Sequence, residues 1–161
     1  MKHKSGYFLI LGVIILVGLD QAVKYWVVQT LNLGEEIALL PFLSLYHARN
    51  PGIAFSMLAS FSDWGLIILT FLIIGFVLWL WKNADLNKSL ARFGYMFVIG
   101  GAIGNVIDRI RFHYVIDYIS FHIPNVFYFA IFNLADAFIT IGAIAIILDE
   151  VTHWLKEKRA N

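Results

Sequence analysis

The sequence predicts an all-α polytopic membrane protein in which four transmembrane helices carry a small extracytoplasmic β-sheet platform. Three observations support this fold class. The chain of 161 residues is 60% hydrophobic and only 14% charged, whereas about a quarter of the residues in a soluble domain are charged. It contains four long apolar segments, and a spanning helix needs roughly 17–25 mostly apolar residues. Two stretches with strand-like patterns separate these segments.

The four apolar segments follow one another along the chain, so we expect a single domain over residues 1–161. The predicted spans are residues 7–28, 64–81, 92–107 and 134–154. Lys2 and Lys4 before the first apolar run resemble the start of a signal peptide. No small-x-small cleavage site follows them, and we therefore expect a retained helix.

The basic residues predict the orientation of the helices. Eight of the twelve flank helix ends on one side of the membrane, namely Lys2, Lys4, Lys82, Lys88, Arg92, Lys156, Lys158 and Arg159. The other four fall outside or within a helix, namely Lys24, Arg49, Arg109 and Arg111. Cytoplasmic loops carry an excess of Lys and Arg. Both termini are therefore expected in the cytoplasm.

The strand-like stretches, residues 30–63 and 112–132, fall on the outer side in this topology. Short runs rich in apolar residues flank Pro41 in the first, and β-branched and aromatic residues surround Pro124 in the second. Such runs are typical of short strands. We expect them to pair into a small sheet on the membrane surface; two interfacial loops are the alternative.

Asp117 and Asp136 are the most informative residues, because each lies in an otherwise mostly apolar segment near the outer face. A carboxylate at the edge of a hydrocarbon environment is costly and usually has a partner or a function. Two carboxylates in one dry pocket cannot both ionise, and such a pair suits acid–base chemistry.

Asp20 and Lys24 are four residues apart, so they share a face of the first helix. They form either a neutralised pair that packs the bundle or part of a site. Asn105, Asp108 and Arg109 likewise share a face at the outer end of the third helix. They form either an interfacial cap with a snorkelling arginine or a binding site.

Two further asparagines stand beside these groups. Asn133 precedes the fourth helix and is typical of an N-cap, whereas Asp136 lies a turn inside and is less easily explained as a cap. Asn50 precedes Pro51 and Gly52 at a turn signal, which alone indicates an ordinary loop. Gly100 and Gly104, in contrast, form a small-xxx-small pattern for helix packing.

Several other chemistries find no support in the sequence. The chain contains no cysteine and five scattered histidines without a zinc-binding motif, so we expect no metal and no cofactor. A Gly-x-Ser-x-Gly motif is absent. No Lys/Arg-rich stripe with interleaved aromatic residues occurs, and a nucleic-acid partner is not expected.

Taken in order, these motifs resemble the bacterial lipoprotein signal peptidase (signal peptidase II) family over nearly the whole chain. The matching segments are Asp20-Gln-Ala-Val-Lys24, Asn50-Pro-Gly-Ile-Ala-Phe55, Gly100-Gly-Ala-Ile-Gly-Asn-Val-Ile-Asp-Arg109, Val115-Ile-Asp117 and Phe132-Asn-Leu-Ala-Asp136. Each is weak alone, but five in order are specific. The one small departure is the proline after Asn50, where other residues are common.

The resemblance implies an aspartic endopeptidase of the bacterial cytoplasmic (inner) membrane. It would remove signal peptides from prolipoproteins by cleaving just before a diacylglyceryl-modified cysteine, as a monomer among membrane lipids. Asp117 and Asp136 match the catalytic pair. Supporting or substrate-contacting positions are matched by Asn50, Asn105, Arg109 and Asn133, and positions that organise the site by Asp20, Lys24 and Asp108.

Two other function classes remain open. A small proton-coupled transporter could use Asp20 and Lys24 in a relay, but four helices are few and Asp117 and Asp136 fall on one side. A non-catalytic membrane scaffold would explain the glycine-rich third helix and leave both aspartates unexplained. Cleavage of a lipidated prolipoprotein by the purified protein distinguishes these classes.

Overall fold

A computed structural model describes residues 2–52, 63–85, 88–123 and 126–160. These ranges contain the four expected helices, α1 (Lys2–Thr30), α2 (Asp63–Asn83), α3 (Ser89–Phe112) and α4 (Leu134–Ala160). The third helix extends beyond its predicted bounds of 92–107 at both ends. It ends where His113 takes a left-handed φ of 64° and donates its backbone N–H to the Arg109 carbonyl at 3.0 Å.

By length and composition, three of the described helices can cross a membrane, over Gly6–Thr30, Trp64–Asn83 and Ser89–Phe112. The helix α4 is not among them; it carries Asp136, Asp149 and Glu150. Many large apolar side chains of α1 and α2 are exposed, including Leu72 at 67%. Exposed apolar faces of this kind are expected where helices contact lipid tails instead of water.

Glycines allow α3 to approach both α1 and α4 closely. A Cβ atom added to Gly94 would lie 2.6 Å from the Gly142 carbonyl oxygen, and one added to Gly142 would lie 2.6 Å from that of Gly94. On the side facing α1, a Cβ atom on Gly100 would lie 2.9 Å from the Leu16 Cβ. Small residues thus set the helix spacing. The Gly100 and Gly104 pattern serves packing, as predicted.

The predicted sheet is confirmed and has four antiparallel strands in the order β1-β2-β3-β4. The strands are β1 (Glu36–Leu40), β2 (Leu43–Asn50), β3 (Val115–Ile123) and β4 (Phe127–Tyr128). The long pairing of β2 with β3 brings Asn50 opposite Val115 and Ala48 opposite Asp117. The two stretches that the sequence places outside the membrane thus meet at the position of Asp117.

A small apolar cluster fastens the sheet to the end of α1. It contains Val27 of α1 and Leu31 directly after this helix, together with Ile116 and Tyr118 of β3. Successive side chains of a strand point to opposite faces. Because Ile116 and Tyr118 pack against α1, Asp117 between them faces the other way.

Candidate active site

Asp117 lies on β3 and is only 2% exposed. The side-chain amide of Asn50, at the end of β2, donates to Asp117 Oδ2 at 2.9 Å. The side-chain amide of Asn133 donates to Asp117 Oδ1 at 2.7 Å. The turn predicted at Asn50 is present, since Asn50 Oδ1 accepts the Gly52 N–H at 2.9 Å, but the other end of the same amide holds the carboxylate.

The surroundings of Asp117 favour its neutral form. Burial raises the pKa of Asp117, and the charge of Asp136 raises it further, to about 6. The hydrogen bonds from Asn50 and Asn133 and the charge of Lys24 act in the opposite direction. A carboxyl group with this balance can change its protonation state near neutral pH.

Asp136 lies in the first turn of α4 and forms a reciprocal cap with Asn133. Its backbone N–H donates to Asn133 Oδ1 at 3.0 Å, and its Oδ2 accepts the Asn133 N–H at 3.2 Å. This is a capping box with aspartate as the returning acid. The sequence made Asp136 less easily explained as a cap than Asn133, but the structure shows that it takes part in the cap. Its carboxylate both caps the helix and reaches the site.

Asn105 connects the two aspartates through Asn133. Its Nδ2 donates to Asp136 Oδ1 at 2.8 Å. Its Oδ1 accepts from Asn133 Nδ2 at 3.2 Å, and the same Asn133 amide donates to Asp117. One continuous chain of hydrogen bonds therefore runs from Asp136 through two amides to Asp117.

A buried ionic cluster stands behind these amides. Lys24 Nζ lies 2.9 Å from Asp20 Oδ2 and 2.8 Å from Asp108 Oδ2. It also donates to Asn105 Oδ1 at 3.0 Å. The side chains of Asp20, Lys24 and Asp108 are at most 1% exposed. The Asp20–Lys24 pair is therefore both a packing element and a contact of the site.

The cluster also anchors the backbone that carries the aspartates. Asp20 Oδ1 accepts the Ala135 N–H at 3.0 Å, at the start of α4. Asp108 Oδ2 accepts the Ile116 N–H at 3.1 Å, one residue before Asp117. Hydrogen bonds to ionised acceptors are stronger than those between neutral groups. Both aspartates are thus held through their neighbours in sequence.

Two contributors escaped the sequence analysis. The Tyr118 hydroxyl accepts the Leu134 N–H at 3.1 Å and so satisfies a further backbone donor in the first turn of α4. Gln21 donates to Asp108 Oδ1 at 2.9 Å and to the Gly104 carbonyl at 3.2 Å. Gln21 directly follows Asp20, and this proximity was a usable signal. Nothing in the sequence indicated the role of the tyrosine hydroxyl.

Arg109 holds the chain that follows Asn50. Its Nη2 donates to the Gly52 carbonyl oxygen at 2.7 Å, and the residue is 8% exposed. The rest of the motif to Phe55 lies outside the described residues. Arg109 therefore contacts the segment that follows β2.

The aspartates line a cavity of about 600 Å³ between α2, α3 and α4. Its polar wall consists of Asn50, Asn105, Arg109, Asp117, Asp136, Thr70 and Thr140, and its apolar wall includes Leu66, Leu69, Ile73, Val98, Ile139 and Ile141. The described ranges contain no group of three or more His, Asp or Glu residues arranged for a metal ion. Two carboxyl groups beside a mostly apolar cavity are suited to general acid–base chemistry on a bound apolar molecule.

The chain is similar in sequence to a family model and to several proteins that carry the same description. A family model described as signal peptidase (SPase) II matches residues 12–152. The lipoprotein signal peptidase of Bartonella henselae is 65% identical over 158 residues, with 98% of this chain and 97% of that protein covered. The lipoprotein signal peptidase of Brucella ovis is 50% identical over 158 residues, with 98% of each chain covered.

The fold is also found among solved structures. One, described as a bacterial membrane enzyme, superposes with a TM-score of 0.82 at 29% identity and covers 90% of this chain and 88% of that chain. A second with the same description has a TM-score of 0.76 at 29% identity and covers 88% and 90%.

Proposed function

The chain belongs to the signal peptidase II family and removes signal peptides from prolipoproteins, and we propose that it does so as an aspartic endopeptidase whose catalytic groups are Asp117 and Asp136. It is a membrane-embedded peptidase, and a transporter is not favoured. The catalytic assignment rests on the contacts that Asn133 makes with both aspartates. Its side-chain amide contacts Asp117, while its backbone N–H contacts Asp136.

Hydrolysis by this pair needs two different protonation states. The ionised carboxylate removes a proton from water, while the protonated one donates to the oxygen of the scissile carbonyl. The raised pKa of Asp117, caused by burial and by the charge of Asp136, supports a shared-proton state near neutral pH. The two groups titrate as a pair, so neither is assigned as the base.

The substrate is proposed to lie in the apolar cavity with its scissile bond at the carboxylate end. Leu66, Leu69 and Ile73 of α2 would contact the signal peptide or the acyl chains. Acyl chains attached to the substrate cysteine would remain in the bilayer, which gives a peptidase reason to be there. Cleavage would occur just before the diacylglyceryl-modified cysteine.

The other site residues support this pair. Asn50, Asn105 and Asn133 donate to the carboxylates, and Arg109 holds the loop at Gly52. We assign the organisation of the site to Asp20, Lys24 and Asp108, which hold Asn105 and the backbone beside each aspartate.

We propose a single monomeric domain in the bacterial inner membrane, in which α4 is the fourth span. Both termini would lie in the cytoplasm and the site near the outer face. The eight basic residues assigned to the cytoplasmic side support this orientation, and membrane lipids would surround the exposed apolar faces of α1 and α2.

The test is cleavage of a lipidated prolipoprotein by the purified protein. Asp117→Asn and Asp136→Asn should each abolish turnover while the protein remains folded, because each removes an ionisation that the pair requires. Asp149→Asn is the matched control, since it changes an aspartate of α4 that does not line the cavity. Near-wild-type turnover in either site variant would refute the catalytic assignment.

A further inference from the structure

Lys24 makes contacts that only a hydrogen-bond donor can make. An ammonium group has three N–H bonds and no acceptor. Lys24 Nζ lies 2.9 Å from Asp20, 2.8 Å from Asp108 and 3.0 Å from Asn105 Oδ1. All three donors therefore have acceptors within the protein. Asn105 must present its oxygen, and not its NH₂ group, to the ammonium.

This contact determines the direction of the whole Asn105 amide. With Oδ1 towards Lys24, Nδ2 points to Asp136 Oδ1 at 2.8 Å. The reversed amide would place N–H against the ammonium and an oxygen against the carboxylate. Both new contacts would be repulsive, so the ammonium excludes this orientation.

The orientation of the Asn105 amide in turn favours one orientation of the Asn133 amide. Asn105 Oδ1 also accepts from Asn133 Nδ2 at 3.2 Å, and the second N–H of that group reaches Asp117 Oδ1 at 2.7 Å. Asn133 Oδ1 is then left to accept the Asp136 backbone N–H at 3.0 Å. A reversed Asn133 amide would lose all three contacts.

We propose that Lys24 is a positioning residue that orients the Asn105 and Asn133 amides so that both donate to the two aspartates. It touches neither aspartate of the pair nor the cavity, and acts through the amides. The inference rests on the proposed function for its catalytic consequence. Donors directed at both carboxylates stabilise the ionised form that must remove a proton from water.

Lys24→Gln tests the proposal, because glutamine can donate or accept and therefore permits reversal of the amides. We expect kcat to fall at least about tenfold, equivalent to roughly 1.4 kcal/mol, with little change in KM. Both limbs of the pH–kcat profile should move to higher pH, since the carboxylates lose stabilising donors. If Lys24 contributed only to folding, Lys24→Gln would leave the pH–kcat profile unchanged.

A double-mutant cycle separates orientation of the amides from the direct effect of the lysine charge. In an Asn105→Ala background no amide remains to be oriented at that position, so Lys24→Gln should reduce kcat only weakly. Equal fold-losses in the two backgrounds would overturn the proposal. If Asn105→Ala has no measurable turnover, the NMR signals of the side-chain amides, described next, test the proposal.

Side-chain amide signals of protein labelled with [¹⁵N]asparagine report the orientation directly. Lys24→Gln should shift or split the Asn105 and Asn133 signals, which are assigned by their loss in Asn105→Ala and Asn133→Ala. Lys88→Gln is the matched control, since it makes the same change at a lysine that bonds to Glu150 instead of either amide. Unchanged signals in folded Lys24→Gln would overturn the inference. This readout is independent of turnover, so an active Asp117→Asn would refute only the catalytic assignment.

Discussion

Asn133 and Asp136 bind each other's backbone N–H groups at the start of α4, at 3.0 and 3.2 Å. The Asp136 carboxylate therefore has a structural task as well as its proposed catalytic one. A side chain that both caps a helix and reaches a cavity is held in one rotamer by the backbone. Positioning of this kind favours catalysis because reactive groups need not be ordered during the reaction.

The cap makes two substitutions of Asp136 distinguishable. Asp136→Ala should lower the unfolding free energy by about 1 kcal/mol, the usual effect of losing a capping side chain. Asp136→Asn should lower it less, because an amide oxygen can still accept the Asn133 N–H. Both should be inactive. Thermal unfolding in detergent measures the difference, and equal melting temperatures for the alanine variant and wild type would contradict the capping role.

The raised pKa of Asp117 predicts a pH dependence of stability. Its folded value is about 6 and its ordinary value is 3.8, because burial and Asp136 disfavour the charged form. A raised value means that the contribution is fully present below the ordinary pKa and is lost as the pH rises through about 6. The unfolding free energy of Asp117→Asn should therefore rise relative to that of wild type by roughly 2.5 kcal/mol from about pH 4 to pH 7.

Melting temperatures of the two proteins across that pH range provide the measurement. Asp149→Asn serves as the reference for removing an aspartate remote from the cavity. A constant difference between Asp117→Asn and wild type from acidic to neutral pH would show that the carboxyl group is not perturbed.

Arg109→Lys should impair cleavage without abolishing it. Lysine keeps the charge but lacks the planar guanidinium that reaches the Gly52 carbonyl. We expect turnover to fall about ten- to a hundredfold, since positioning is lost and proton transfer is not. Arg111→Lys, at an exposed position nearby, is the control and should retain activity. Wild-type cleavage by both Arg109→Lys and Arg109→Ala would reduce Arg109 to an interfacial anchor.

Gly142→Ala should destabilise the packing of α3 against α4. The added methyl would lie 2.6 Å from the Gly94 carbonyl oxygen, and overpacking of this kind costs about 1–3 kcal/mol. Gly75→Ala on α2 is the control, because no atom lies within 4 Å of its Cβ position. The melting temperature should fall only for Gly142→Ala, and equal values would contradict the close approach.

The distribution of basic residues predicts where reporters will be found. A fusion after Asn161 and one near Leu86, both outside the described residues, should report the cytoplasm. One inserted near Glu35, just before β1, should report the outer side. Cytoplasmic labelling at Glu35 would reverse the proposed topology and place Asp117 and Asp136 on the opposite side of the membrane.

The sequence revealed the site residues better than their contacts. Asp117 and Asp136 were conspicuous because carboxylates are rare in apolar segments, and helical spacing placed Asp20 beside Lys24. The contact of Lys24 with Asp108 joins residues 84 positions apart, and no local periodicity indicates it. The capping role of Asp136 was not predicted because its position a turn inside the helix does not by itself indicate that its carboxylate reaches back to the Asn133 N–H.

In the fold, too, features that depend on neighbours in sequence were predicted, and features that depend on tertiary partners were not. Apolar length predicted four helices and patterning predicted the sheet, since both depend on neighbours in sequence. The predicted bounds of α3, residues 92–107, are too short because apolar length alone defined them and charged residues lie at both ends of the apolar segment. In the structure Asp108 is buried by its pairing with Lys24, and α3 continues to Phe112. Tertiary partners decide whether a charge ends a buried helix.

The bond from the Ala135 N–H to Asp20 joins residues 115 positions apart, and this separation determines when the site can form during synthesis. A nascent chain of which α1, α2, α3 and β3 have left the ribosome contains Asp117 but neither Asn133 nor Asp136. The carboxylates meet only after α4 has emerged and docked on α1. The proposed catalytic pair is therefore complete only once α4 is in place.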